Sequence, residues 1–166
     1  MYRQTSRGGG RLVNMSSIDP LDRALLQLLL TEPRLGVLEM SRRLKVARGT
    51  AQARLARLES GGVLTDWAPR VEPSALGFPV MAFATLEVHQ GRGIKAIAEH
   101  LHSIPEVLEA HTTSGQGDVL CRLVARDHAD LQRVLDAITS TQLVSRTSTV
   151  ISLTDEVPYR VAQLLG

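Results

Sequence analysis

The sequence has few of the residues on which several classes of protein depend. Its 166 residues include one cysteine, Cys121, which excludes an intrachain disulfide and a metal site built from several cysteines. A reducing compartment, and hence a cytoplasmic location, is expected. Aromatic residues make up 3% of the chain, so the cores must be built from Leu, Val, Ile and Ala.

Long apolar runs are also lacking. None approaches the roughly 20 residues that a membrane-spanning helix needs, and MYRQTSRGGGRLVNMSS at the start lacks the apolar centre of a signal peptide. No membrane partner is expected, and residues 1–17 are interpreted as a disordered basic tail.

Charge is divided unevenly along the chain. Residues 1–76 carry 12 Lys and Arg against 7 Asp and Glu, whereas residues 77–166 carry 7 against 10. A basic first half joined to an acidic second half suggests a polyanion-binding module followed by a module of another kind. Chance is the alternative explanation of this difference.

The first half shows three short helical patterns. Asp19 is a good N-cap for the first, and Pro20 suits its first position. The second spans about Val37 to Leu44, with Leu38 facing inward, and a tight turn leads to the third in RGTAQARLARLESGG. The extended residues that follow are interpreted as a small wing hairpin or strand.

Three short helices with a tight turn before the third are typical of a DNA-binding helix-turn-helix. The outer face of the third helix carries small, polar and basic side chains, which can hydrogen-bond base edges or hold phosphates. A solvated basic helix without a ligand is the alternative. The candidate DNA-binding residues are Arg42, Arg43, Lys45, Arg48, Thr50, Gln52, Ala53, Arg54 and Arg57.

The second half alternates strand and helix patterns in the order β-α-β-β-α-β. This order is that of a ferredoxin-like fold, whose two helices cover one face of an antiparallel sheet. The uncovered face needs a partner, and a second copy of the chain is the simplest. The sequence predicts an α+β protein with a winged helix-turn-helix over residues 18–70, a linker over 71–79, and a ferredoxin-like βαββαβ domain with a terminal helix over 80–166.

The stretch TSGQGDVL, residues 113–120, lies between two strand patterns. A phosphate-binding Gly-rich loop should open a helix, whereas this stretch opens a strand. A catalytic turn would need a base, and no histidine has a predictable position near Ser114. A hairpin turn fits, since glycines can adopt positive φ.

Other site chemistry finds no support in the sequence. His100 and His102 lie two apart on a predicted helix and point away from each other, which makes a poor metal pair. Cys121 lies within a strand pattern and is interpreted as buried packing. No catalytic residue, metal or cofactor is predicted, and the protein is not expected to be an enzyme.

Several segments, in order, resemble the leucine-responsive/asparagine regulator (Lrp/AsnC) family, the feast/famine transcription regulators of bacteria and archaea. IDPLDRALLQLLLTEPRL is similar to the family's opening signature, and LEMSRRLKVARGTAQARLARLESGGVL continues it. VEPSALGF matches its linker, and SGQGDVL its serine-glycine-x-x-aspartate turn. The resemblance covers about Ile18 to Glu156.

The resemblance implies a winged helix-turn-helix followed by a βαββαβ domain that binds a small effector, typically a free amino acid. It also implies dimers joined through the C-terminal sheets, often assembled into tetramers or octamers, with the effector between dimers near the turn. The implied effector-binding residues are Ser114, Gly115, Gln116, Gly117, Asp118, Thr147, Ser148 and Thr149.

Two positions depart from the family's pattern. Ala47 stands where a serine commonly caps the third helix, and losing a cap costs about 1 kcal/mol. Gly117 stands where the family often has a bulky residue.

The sequence therefore predicts a regulator of transcription that binds double-stranded DNA sequence-specifically and whose DNA binding or assembly responds to an effector. The alternatives are a metabolic enzyme subunit with a ferredoxin-like regulatory domain, and an effector-independent protein that compacts DNA.

Overall fold

The computed structural model describes residues 18–89 and 93–166. These residues form two compact units, one of residues 18–69 with 159–166 and the other of residues 70–158. The basic tail expected over residues 1–17 lies outside the described residues.

Three helices form the first unit: α1 (Pro20–Thr31), α2 (Val37–Arg43) and α3 (Arg48–Ser60). α1 begins as predicted, because Asp19 and Asp22 form a capping box. The carboxylate of each accepts a hydrogen bond from the backbone N–H of the other, at 2.9 and 3.0 Å.

Apolar side chains from all three helices meet in the core of this unit. One expectation for α2 was wrong, since Leu38 is 48% exposed and Met40 is buried instead. A helix of seven residues makes barely two turns, so its sequence period does not decide which face is inward. The buried core residues are Leu25, Leu26, Leu29, Met40 and Leu58.

Residues 61–72 contain no strand, so the wing hairpin expected from the sequence is absent from this described segment. Local bonds satisfy the backbone there instead. Asp66 Oδ1 accepts from the N–H groups of Trp67 and Ala68 at 2.7 and 2.9 Å, and the Trp67 indole donates to Glu59 at 2.9 Å. An extended segment without a partner strand cannot build a ladder.

The last residues of the chain belong to the first unit. The sequence assigned them to the second domain as a terminal helix, whereas residues 159–166 cluster with the three helices and Ala162–Leu165 form a 3₁₀ turn. Leu165 packs against the leucine core, and its carbonyl accepts a hydrogen bond from Arg23 at 3.0 Å. Apolar burial therefore decides this placement.

The second unit follows the predicted order. Its elements are β1 (Val80–Val88), α4 (Ile94–His102), β2 (Val107–Thr112), β3 (Val119–Ala125), α5 (His128–Thr139) and β4 (Val144–Ser152). The strands form one antiparallel sheet in the order β2-β3-β1-β4. This is the ferredoxin-like arrangement expected from the sequence.

Alternate residues of the central strands face the helices. Ala84 of β1 and Cys121 of β3 are paired and buried in one core with Ile97 of α4 and Val134 of α5. Because both helices pack on the same set of alternating positions, they lie on one face of the sheet. The other set of positions, which includes Phe83, forms the opposite face.

Candidate functional site

The connection between α2 and α3 is a short turn of the helix-turn-helix kind. Lys45 has a φ of 53°, the only positive φ of a non-glycine residue in residues 18–89 and 93–166. Val46 N–H donates to Ser41 O at 3.0 Å and closes the turn. α3 begins at Arg48. The preceding residue, Ala47, makes no side-chain capping hydrogen bond, because a methyl group has no acceptor atom.

One face of α3 is buried and another is free. Ala51 and Leu58 are buried against the unit's core. Four exposed side chains in the first half of α3 make no hydrogen bond or ion pair within the described part of the chain, so they are available to a ligand. They belong to Arg48, Thr50, Gln52 and Ala53, and Lys45 in the turn is exposed and unpaired in the same sense.

Two of the candidate arginines take part in surface ion pairs on α2. Arg43 bonds to Glu32 and, at 3.2 Å, to Glu39, and Arg42 lies 3.7 Å from Glu39. The carboxylate neighbours raise the pKa of Arg43, and the hydrogen bond that Arg43 donates to Glu32 contributes most. Exposed pairs of this kind are weak, so both guanidinium groups remain accessible to a phosphate.

Arg54 and Arg57 have a different environment. Both guanidinium groups bond to Asp22, which is fully buried, and Arg54 also bonds to Asp19. The hydrogen bond from Arg54, followed by that from Asp22 N–H, lowers the pKa of Asp19 to about 2. These partners were not predicted from the sequence, where Asp19 was interpreted only as a helix cap. The sequence signal for this pairing was the presence of two acidic residues, Asp19 and Asp22, near the start of α1.

The stretch over residues 113–118 is the turn between β2 and β3, so the hairpin interpretation is confirmed. Thr113 N–H donates to Asp118 O at 3.0 Å, and the Thr113 hydroxyl donates to Gly117 O at 3.2 Å. Gly115 and Gly117 have φ of 120° and 80°, which favours glycine at both positions. Ser114, Gly115 and Gln116 are exposed at the tip.

Asp118 ties this turn to β1. Its N–H donates to Leu86 O at 2.8 Å, and its Oδ2 accepts from Val88 N–H at 2.7 Å. One carboxylate oxygen therefore holds the turn, while no described residue donates to Oδ1. The residue is exposed, so that oxygen can accept a hydrogen bond from a bound molecule.

The three candidate residues on β4 do not share one surface. Thr147, Ser148 and Thr149 pair with Leu86, Thr85 and Ala84 of β1. Because side chains alternate along a strand, the two threonines lie on the helix side and Ser148 on the opposite side. The buried Thr147 hydroxyl has no hydrogen-bond partner among the described residues. Of the three, Thr147 lies in the strand row that reaches the turn, through Leu86 and Val119.

Two further reactive side chains of residues 18–89 and 93–166 lie in packed surroundings: His100 contacts a helix carbonyl and Cys121 is buried in the core. No three His, Cys, Asp or Glu side chains there are grouped as a metal ion requires. His100 Nε2 lies 3.0 Å from Ala137 O at the end of α5. Burial raises the pKa of the Cys121 thiol to about 11. None of the helices in the described residues has the length and hydropathy needed to cross a membrane.

A helix-turn-helix with a free polar face, followed by a βαββαβ unit with a glycine turn, defines the class of two-domain transcription regulators. The family model for the AsnC-type helix-turn-helix domain matches residues 18–59, and that for the Lrp/AsnC ligand binding domain matches residues 80–161. The chain belongs to the Lrp/AsnC family. It is a transcription regulator with a DNA-binding and a ligand-binding domain.

Known relatives share most of this chain. Regulatory protein AsnC of Escherichia coli is 28% identical over 82% of the chain and 90% of that protein. Its solved structure superposes with a TM-score of 0.81, covering 88% of this chain and 99% of that one at 25% identity. The feast or famine regulatory protein from M. tuberculosis, solved in complex with L-methionine, superposes with a TM-score of 0.79 at 26% identity, covering 87% and 98%.

Proposed function

We propose that this regulator reads double-stranded DNA through the exposed surface of α3. The observation that carries the proposal is that Arg48, Thr50 and Gln52 are exposed on one helix and make no bond within the described residues. A helix presented in this way fits the major groove, which is about 12 Å wide. Sequence specificity would come from these side chains, because contacts to base edges distinguish sequences directly, whereas phosphate contacts do not.

The candidate residues differ in the role they can take. Gln52 can form a bidentate pair with adenine, and the Ala53 methyl group can contact the methyl group of thymine. Arg48 can read guanine or bind a phosphate. Lys45, with Arg42 and Arg43, supplies cations beside this face that would hold the phosphate backbone.

Selection from a random DNA library, followed by anisotropy titrations of the selected site at stepped salt concentrations, tests this proposal. We expect one enriched sequence and an affinity that falls linearly with the logarithm of the salt concentration. Salt-dependent binding without any enriched sequence would instead favour a DNA-compacting protein. No DNA binding at low salt would contradict the proposal and leave the enzyme-subunit alternative.

We propose further that the turn over residues 113–118 receives a free amino acid. Exposed backbone at Ser114 to Gln116 and the Asp118 Oδ1 atom offer donors for a carboxylate and an acceptor for an ammonium group. The M. tuberculosis relative in complex with L-methionine supports the same class of ligand. Of the β4 candidates Thr147, Ser148 and Thr149, Thr147 is retained in this proposed site, because it lies in the strand row that reaches the turn.

A melting screen against the twenty amino acids tests the ligand proposal. An amino acid that binds the folded protein at a hundred times its Kd stabilises it by about 2.7 kcal/mol, which gives a readily measured rise in Tm. DNA titrations with the amino acid so found then test regulation, because an effector changes DNA affinity only if it binds two states unequally. No rise in Tm with any amino acid would contradict the ligand proposal.

We also propose that the chain dimerises through the sheet face opposite α4 and α5. Phe83 and Val150 are neighbours on this face, and Val150 is 63% exposed. Covering such a face removes apolar surface from water. Sedimentation equilibrium should show a dimer or a larger assembly, and Val150→Asp should weaken it, whereas Ile94→Asp on α4 should not. A monomeric wild-type chain would contradict this part of the proposal.

A further inference from the structure

A cluster of four charged side chains joins the start of α1 to the second half of α3. Its centre is Asp22, whose carboxylate is fully buried. Asp22 Oδ1 accepts from Arg54 Nη1 at 3.2 Å, and Asp22 Oδ2 accepts from Arg57 Nη2. Both oxygens of the buried carboxylate therefore have a guanidinium partner from α3, as a buried charge requires.

Asp19 completes the cluster from the exposed side. Its Oδ1 accepts from Asp22 N–H at 2.9 Å and its Oδ2 accepts from Arg54 Nη1. Arg54 thus bridges both carboxylates of the capping box. The box that starts α1 therefore also holds α3.

α3 needs such a connection because its own start is weak. Ala47 gives no side-chain cap, and Gly49 in the first turn has the lowest helix propensity after proline. Ala51 and Leu58 supply the buried contacts, which resist separation of the helices but allow sliding and rotation more easily than directional bonds do. Two arginines three residues apart on one face, bonded to a rigid helix start, set both the rotation and the axial position of α3.

The guanidinium groups of this cluster are poorly placed to bind a DNA phosphate in addition to their carboxylate partners. The side chains of Arg54 and Arg57 are 30% and 44% exposed, and each is engaged with a carboxylate. Moving either guanidinium to a phosphate would leave the buried Asp22 with an incomplete set of partners, which is costly for an ionised group. Arg48, in contrast, bonds to no carboxylate among the described residues.

We infer that Arg54 and Arg57 are positioning residues, which hold α3 in the orientation that presents Arg48, Thr50 and Gln52 to DNA, and do not themselves bind phosphate. This inference rests on the proposal that α3 contacts DNA. Two residues that the sequence predicted to contact DNA would then act indirectly, by supporting the helix that makes the contact.

The decisive variant is Asp19→Asn. Asparagine is as good an N-cap as aspartate, so α1 keeps its start while Arg54 loses one anionic partner. If Arg54 positions α3, DNA affinity falls several-fold, although the variant has lost a negative charge near a polyanion. If Arg54 is a phosphate ligand, the same change frees it and removes a repulsion, so affinity rises. A rise or an unchanged affinity overturns the inference.

The salt dependence of binding provides the second readout. Removing a phosphate contact lowers the slope of log K against log salt by about 0.9 per contact, so Lys45→Ala, at a side chain proposed to hold the phosphate backbone, is the reference for such a loss. We expect Arg54→Gln and Arg57→Gln to weaken binding with the slope unchanged and with a lower Tm. A lowered slope with an unchanged Tm would overturn the inference.

The same experiments distinguish a failure of the proposed function from a failure of the inference. If the wild-type protein shows no salt-dependent binding to any DNA, the proposed function fails and the inference fails with it. If the wild-type protein binds and Asp19→Asn binds more tightly, only the inference fails. Because Arg57→Gln can unfold the unit, Asp19→Asn, at a partly exposed site, keeps the test informative.

Discussion

Gly117 lies directly against the side chain of Thr85. A Cβ atom added at Gly117 would overlap Thr85 Cγ2 and would lie 3.2 Å from the carbonyl oxygen of Leu86. The residue also has a φ of 80°, which strains any L side chain. Glycine at position 117 is therefore favoured by the packing of the turn on β1 and by the positive φ.

Gly117→Ala should destabilise the second unit by about 2 kcal/mol or more, because backbone strain and overlap with β1 act together. Gly115→Ala is the matched control, since its φ of 120° is also unfavourable but nothing lies within 4 Å of the added Cβ. Urea denaturation of both variants measures the difference. Equal losses of stability would show that the overlap with Thr85 relaxes without cost.

Asp118→Ala should lower stability and abolish the response to the amino acid, while DNA binding without effector is retained. The substitution removes the acceptor for Val88 N–H, and a hydrogen bond is worth about 1 kcal/mol. Ser114→Ala removes an exposed hydroxyl at the tip, a further donor for the ligand carboxylate, and should weaken the ligand response alone. Melting curves with and without the amino acid, together with DNA titrations, measure the three effects. An intact ligand response in Asp118→Ala would place the effector elsewhere.

Arg48→Ala should weaken DNA binding and, where its guanidinium neutralises a phosphate, reduce the salt slope by about 0.9 per contacting subunit, since a cation on a phosphate releases counterions. Lys95→Ala is a matched loss of one positive charge, at a side chain that is 91% exposed on α4. Anisotropy titrations between low and moderate salt compare the two. An equal effect of both variants would mean that net charge, and not the face of α3, governs binding.

Acid should destabilise the first unit over a defined range. Because Arg54 holds the pKa of Asp19 at about 2, below its ordinary value of 3.8, the ionised carboxylate stabilises the fold at pH values above about 4. This contribution is lost as the pH falls from about 4 to about 2. The difference in Tm between the wild-type protein and Asp19→Asn should therefore shrink over that range. Asp155→Asn, an exposed site in the second unit, controls for general effects of acid.

Cys121 should be inert in the folded protein. Burial raises its pKa to about 11, so very little thiolate exists at pH 8, and the side chain is inaccessible. Ellman's reagent should react slowly with the native protein and rapidly, with one equivalent, after denaturation. Rapid reaction of the native protein would show that the core around β3 opens readily.

Short-range patterns predicted much of this fold. Asp19 and Pro20 marked the start of α1 because capping depends on residues within one turn of each other. The order of strands and helices in the second unit followed from hydrophobic period, and the turn at Gly115 and Gly117 followed from the need for positive φ. The prediction of a wing strand was wrong, because a strand needs a partner strand, which the local sequence does not supply.

The sequence by itself determined the helices other than the terminal one, the order of strands and helices along the second unit, the hairpin turn and the family to which the chain belongs, since these depend on neighbouring residues and on motif order. Only the tertiary structure decided that Arg54 and Arg57 face Asp19 and Asp22, 32 or 35 residues away. It also placed Leu165 in the core of the first unit and Gly117 against Thr85. These relationships arise from packing between distant segments, where burial and charge compensation select partners that no local pattern contains.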